Sequence, residues 1–431
     1  MPYSAVMNGR LALLPGNVGR WRLVVLGAAL LTTVVKLVIA GSTFGTTDVL
    51  LWRDFAQSVR ENGPVGIYGH HFLLVYNHAP LSGWLLVAIN WLTDHGFGGF
   101  PTLIRVPASL ADIATTVLVF ELVRLYRSVG QAGIAAVLVA LSPMLIIVSG
   151  FHGNTDSVFV MFSLLTVYLL VVRGWFGYAG AAFALALSIK LVPIVIAPTV
   201  LVLLVRAGWR KLGHFAIGLA VVVLPLWLPI LLTRWTAFRR DVLGYAGVDT
   251  RQWGLIQILR WLGLGPQGQA VIAGPGRFVI LALCALLPAI LLWRRPWAAA
   301  PAVGLAFVMF LMLTPAFGMQ YLSWGLAGAY LISTRAATAY NLFGSLFMVI
   351  VYDHWNNACP WNWNVAPGKP FRTKELFLQY PAWFSLLALV VTGLLMLRRR
   401  DDSASTLQIS EHAHRRGVEL IVARQGTGAG R

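Results

Sequence analysis

Long apolar runs divided by short polar stretches recur along most of the chain. They fall near residues 21–40, 104–123, 131–149, 157–172, 176–190, 191–205, 215–233, 277–293, 299–314, 321–333, 338–353 and 382–397. A bilayer crossing takes roughly twenty apolar residues, fewer where helices are broken or enclosed by others. The pattern therefore predicts an all-α polytopic membrane protein with about twelve transmembrane helices. Between residues 48 and 62 the pattern changes. Val49, Leu50, Trp52, Phe55 and Val59 share one side at helical spacing, with Asp54, Gln57 and Glu61 opposite, which predicts an amphipathic helix lying flat on the membrane.

Charge orders these runs. Basic residues fill alternate short connections: Arg124 and Arg127, Arg173, Arg206 with Arg210 and Lys211, Arg294 and Arg295, Arg335, then Arg398 to Arg400. Placing them all inside puts both termini in the cytoplasm. Residues 79–95 are apolar enough to resemble a further span, but counting them as one would turn every later connection over. They are expected to form an interfacial helix anchored by Trp84 and Trp91. The organisation that follows is a cytoplasmic N-terminus (1–20), a membrane domain (21–397) whose first outer loop is 41–103, and a polar cytoplasmic tail (398–431). Arg10, Arg20 and Arg22 precede a first run long enough to be retained as a span, so no cleavable signal peptide is expected.

Composition agrees with this reading and removes others. The 431 residues are 58% hydrophobic and 11% charged, less than half the charge of a typical soluble domain. The net charge of +18 is accounted for by Lys and Arg flanking spans, with a share for anionic lipid headgroups or a phosphate-bearing substrate, and not by nucleic acid. Cys284 and Cys359 are too few for a disulfide framework or a zinc site, and no bridge between them is expected.

Polar residues beside hydrocarbon are costly, so each is a candidate for function. Asp48 follows the first span. It could accept a proton from a hydroxyl or hold a metal, or it could cap the amphipathic helix. His152, Asn154 and Asp156 cluster in FHGNTDS, where turn chemistry is the alternative explanation. Lys190 ends one apolar run ahead of Pro193 and Pro198; it either snorkels to water or holds an anion such as phosphate. Arg105 and Asp112 lie two turns apart on one helix, and an ion pair with another span suits Asp112. TPAFGMQYLSWG brings Gln320, Tyr321 and Trp324 to the same outer side, where aromatic-belt placement also explains Tyr321 and Trp324.

In this order the motifs resemble the C-type integral-membrane glycosyltransferases. They comprise an acid after the first span (Asp48), a loop closing on Tyr76-Asn77-His78-Ala79-Pro80-Leu81, Arg105 with Asp112, the 142–157 junction, IKLVP, and the Gln320–Tyr321 turn. The last three look most like the glycosylphosphatidylinositol mannosyltransferase I family and its bacterial relatives. The resemblance implies inverting transfer of a sugar, mannose as the first guess, from a polyprenyl-phosphate donor to an extracytoplasmic glycan or glycolipid acceptor. Asp48 would be the base, and Lys190 would hold the phosphate. His152, Asn154, Asp156, Gln320, Tyr321 and Arg105 would lie on the donor side; Asp54, Tyr76, Asn77 and His78 would lie on the acceptor side. The mannosyltransferase I family carries an Asp-x-Asp pair in its first loop, whereas here Asp48 has only Asp54 six residues on. No metal or other cofactor is indicated. An integral plasma (inner) membrane location follows, with the active site outside. The competing readings are a lipid-linked sugar flippase or transporter, and a scaffold subunit. Trp-rich 352–364 could stack on sugars or anchor at the interface.

Overall fold

A computed structural model describes residues 17–72, 74–245, 247 and 253–398; the basic Arg10, Arg399 and Arg400, and nearly all of the expected tail, lie outside the described residues. The chain is a helical bundle. In order, its main helices are α1 (Val18–Ser42), α2 (Thr47–Gly66), α3 (Pro80–Asp94), α4 (Phe100–Val123), α5 (Val129–His152), α6 (Asp156–Arg173), α7 (Phe176–Ile189), α8 (Val192–Ala207) and α9 (Trp209–Thr233). Two short helices, α10 (Gly254–Trp261) and α11 (Pro266–Ala273), lead into α12 (Gly276–Arg294), α13 (Ala299–Leu313), α14 (Leu322–Ile332), α15 (Thr334–Asn356) and α16 (Thr373–Arg398). Eight of these, α1, α4, α5, α6, α9, α12, α15 and α16, are long and apolar enough to cross a membrane. With the shorter α7, α8, α13 and α14 they account for each apolar run seen in the sequence.

Proline and glycine set where the runs break. After α7, Lys190 is extended (φ −155°, ψ 150°) and Pro193 opens a tight turn, because proline cannot continue the preceding helix. Pro315 likewise forces Thr314 out of helical geometry at the end of α13. The last turn of α5 widens into a π-type turn over Val148–His152 and stops at Gly153, φ +86°. A Cβ there would sit 2.3 Å from Val49 Cγ2, so both the dihedral and the space demand glycine.

Helix packing rests on small residues and a few polar ties. A Cβ on Gly218 of α9 would lie 1.8 Å from the Gly177 carbonyl oxygen of α7. That close approach is what small residues permit between membrane helices. Asp112 of α4 does find an ion pair with another span: Lys36 Nζ of α1 lies 2.7 Å from Asp112 Oδ2, with both side chains sealed from solvent. Ser149 Oγ donates to the same oxygen at 2.7 Å. At one end of the bundle Arg22 and Arg124 meet Glu121, Arg127 reaches Thr334 Oγ1 at 3.0 Å and Arg206 reaches the Trp293 carbonyl at 2.7 Å. The connection arginines thus gather at one end.

The opposite end carries the loops. Thr46 Oγ1 caps α2, and Gly45–Thr46 pairs in parallel with Val365–Ala366, tying the first loop to the segment before α16. The apolar side of α2 appears where its periodicity put it, with Val49, Trp52, Phe55 and Val59 buried. Its partner is different from the one expected. That face packs on Ile67, Tyr68, Tyr76, Leu86 and Ile89, so α2 spends its amphipathicity on protein. Helix α3, fifteen residues long, is short for a crossing and leaves Trp84 and Trp91 exposed. Cys284 is buried and Cys359 exposed, and both are free.

Candidate active site

Six helix ends converge at the loop end of the bundle. The strand before α2 and the C-terminus of α5 are stitched together by Thr46 Oγ1, which donates to the His152 carbonyl at 2.7 Å. Because Thr46 supplies the cap, the Asp48 carboxylate is left free to turn toward α5. His152 Nε2 lies 3.0 Å from Asp48 Oδ2, and Gln320 Nε2 donates to the same oxygen at 3.4 Å. The other ring nitrogen of His152, Nδ1, is engaged by the Tyr352 hydroxyl from α15. With the phenol as donor, Nδ1 accepts and Nε2 carries the proton that it gives to Asp48. Among the described residues, Oδ1 of Asp48 has no hydrogen-bond partner.

A second cluster lies alongside. Asp156, in the first turn of α6, receives Lys190 Nζ on Oδ1 at 2.9 Å and Trp324 Nε1 on Oδ2 at 2.8 Å. The Lys190 ammonium stands 4.6 Å from the Trp324 ring centre and 5.1 Å from that of Tyr321, within cation–π range. Asn154 Oδ1 accepts from the Asp156 amide at 3.0 Å, while its own amide nitrogen is buried without a partner among the described residues.

The two clusters feel each other's charge. Burial pushes the Asp48 carboxyl up, but His152, Lys190 and His78 pull it down further, so it lies below the usual aspartate value. Burial first, then the Lys190 charge, pushes His78 down to about 3, against a smaller upward pull from Asp48. Near neutral pH the pocket therefore holds an ionised carboxylate beside an uncharged imidazole.

Next to this pair is a cavity of about 260 Å³. Asn77, Lys190, Tyr245, Arg277, Tyr321 and Trp324 form its polar and aromatic wall; Leu191, Val192, Ile194, Phe278, Ile280, Leu281 and Phe310 make the rest apolar. Phe278, Val279 and Leu283 of α12 are exposed, so the cavity adjoins a flank that would face lipid. Lys190 is already matched by Asp156. Among the described residues Arg277 meets no carboxylate: its guanidinium reaches the Gly244 carbonyl at 3.4 Å and lies 4.8 Å from the Phe278 ring centre. Among the described residues the unmatched positive charge in the cavity is thus Arg277, which the sequence reading did not single out.

The remaining expected residues separate by position. Asn77 lines the cavity. His78 lies against the Trp52 ring at 4.2 Å. Tyr76 is buried among Phe55, Tyr68 and Phe72. Asp54 is exposed on the far side of α2. Arg105 is fully buried and spends its donors on the Pro101, Ala40, Thr43 and Gly150 carbonyls and on Thr43 Oγ1. That is a clamp on three chain segments, with no donor turned to the cavity. Among the described residues, no three His, Cys, Asp or Glu side chains converge as a metal site would need.

A family model described as dolichyl-phosphate-mannose-protein mannosyltransferase matches residues 77–233, 157 of the 431. The match lies in the broad C-type glycosyltransferase class and takes in Asn77, His152, Asn154, Asp156 and Lys190. It does not extend to the narrower glycosylphosphatidylinositol mannosyltransferase I likeness. No curated protein matches the chain.

Proposed function

We propose that this chain is a membrane glycosyltransferase that moves a sugar, mannose first, from a polyprenyl-phosphate donor to a hydroxyl of an extracytoplasmic glycan or glycolipid. The family match over residues 77–233 supports the class of reaction. The observation that carries the chemistry is the Asp48 carboxylate, held by His152 and Gln320 on one oxygen, beside a half-apolar cavity bearing Lys190 and Arg277.

Asp48 Oδ1 takes the proton of the acceptor hydroxyl as its oxygen attacks the anomeric carbon. The bond from that carbon to the phosphate oxygen breaks on the opposite face, so the configuration inverts. Polyprenyl phosphate leaves with the electron pair and one more negative charge. Arg277, with Lys190 released in part from Asp156, stabilises that charge where it develops. Tyr352 acts through His152, fixing the tautomer that keeps the carboxylate aimed. The apolar wall along α12 suits an isoprenoid chain entering sideways from the bilayer. The basic connections at the far end of the bundle support a cytoplasmic setting for that end and an extracytoplasmic one for the cavity.

A flippase reading has less support: these polar groups gather at one end of the bundle, whereas transporters favour sites near the midplane. The reading is tested by incubating purified protein with polyprenyl-phosphate mannose, polyprenyl-phosphate glucose and a mixed acceptor extract. Release of free polyprenyl phosphate, dependent on acceptor, is expected from one of them. Translocation of intact donor across a vesicle without cleavage would replace transfer by transport.

A further inference from the structure

A second cavity, of about 310 Å³, lies on the other side of α15 from Tyr352. Ile350, Asp353, His354, Arg372, Lys374 and Leu378 line it. The carboxylate in its wall, Asp353, is engaged on one oxygen. Asp353 Oδ1 accepts from Trp363 Nε1 at 2.8 Å. Glu375, fully buried in the first turn of α16, takes the Arg372 amide on Oε2 at 2.7 Å; its Oε1 lies 3.0 Å from His354 Nδ1, and among the described residues neither atom has a hydrogen-bond partner. The Arg372 guanidinium and Lys374 ammonium are exposed, with no hydrogen bond or ion pair among the described residues.

An apolar track leads to these two cations. Leu342 and Leu346, exposed on α15, and Ile350 in the cavity wall follow one another at four-residue steps toward His354. Four-residue spacing keeps them on neighbouring turns of one flank. Two unmatched cations at the head of a lipid-facing stripe complement an amphiphile with a phosphate head and hydrocarbon tail, and basic pockets between membrane helices bind such headgroups.

We propose that the cavity between α15 and α16 is a binding site for an anionic phospholipid of the surrounding leaflet, separate from the donor cavity. The lipid phosphate sits between Arg372 and Lys374, and an acyl chain runs down Ile350, Leu346 and Leu342. Occupancy joins the start of α16 to α15 one turn from Tyr352. The proposal does not depend on the transferase reading.

The test is native mass spectrometry of the full chain titrated with phosphatidylglycerol, phosphatidylcholine or inorganic phosphate. Wild type is expected to retain phosphatidylglycerol over phosphatidylcholine. The Arg372→Ala/Lys374→Ala variant should bind it roughly five- to thirty-fold more weakly. Arg372→Lys/Lys374→Arg should behave as wild type, as should Arg53→Ala, which removes an exposed charge elsewhere. Equal retention of both lipids, or no loss in the alanine variant, overturns the site. Displacement of phosphatidylglycerol by millimolar phosphate would mean a free-anion site and overturn the lipid assignment.

Discussion

Two lysine–aspartate pairs of similar length, Lys36–Asp112 at 2.7 Å and Lys190–Asp156 at 2.9 Å, occupy different surroundings. The first lies inside the bundle with side chains 1% and 3% exposed. Among the described residues its other hydrogen bond comes from Ser149, and the cavity beside Asp112 holds only about 10 Å³. The second ends a helix at a proline turn, keeps the lysine 14% exposed, and opens on a cavity lined by Arg277 and five aromatic residues. An ion pair that is sealed holds helices together; one at a helix break, with a side chain left able to change partners, can answer a ligand. Both look alike as isolated charges in an apolar sequence. Position relative to a break is what separates them.

The comparison can be broken most forcefully at the sealed pair. Lys36→Met leaves Asp112 buried and uncompensated, a loss of about 3–5 kcal/mol. The expected result is a large drop in thermal stability, largely recovered in Lys36→Met/Asp112→Leu. A single variant as stable as wild type would contradict a structural role. At the open end stability should change little and ligand handling much. Arg277→Ala should weaken binding of the polyprenyl-phosphate donor roughly ten- to hundred-fold, read as Kd by titration, with the melting temperature retained.

Tyr352→Phe removes only the hydroxyl that sets the His152 tautomer. Turnover should fall about ten-fold at unchanged donor affinity, and a fluorinated tyrosine, which keeps the O–H donor, should restore it. The smallest effect is on pH. His152, Lys190 and His78 hold the Asp48 carboxyl below its ordinary value, so the ionised base persists to unusually acid pH and the acid limb of kcat lies low. Lys190→Met removes a cation that favours the charged form. The carboxyl then rises and the limb moves to higher pH; movement to lower pH would mean another group sets it.

Periodicity located the spans because burying apolar residues in lipid is a local property of each run. It located the inward face of α2 for the same reason. It could not say what covers that face, since water-facing protein and membrane surface ask for the same pattern. Asp48 stood out because a carboxylate after a span is costly, yet whether it caps α2 was not legible until Thr46 was seen to take the cap. Tyr352 was hidden among Trp-rich neighbours, because its role depends on contact with His152, 200 residues away. Arg277 looked like an ordinary span-flanking charge. Lys36 lay within the first apolar run and became legible only beside Asp112.

The most direct measurement is on Asp48→Asn, which keeps shape and hydrogen bonding but cannot accept the proton. Donor binding and single-turnover release of polyprenyl phosphate would be followed on the same preparation. The account predicts near-normal donor affinity with turnover reduced roughly 10²–10⁴-fold. Turnover within a few-fold of wild type would contradict it, and the base would have to be sought elsewhere.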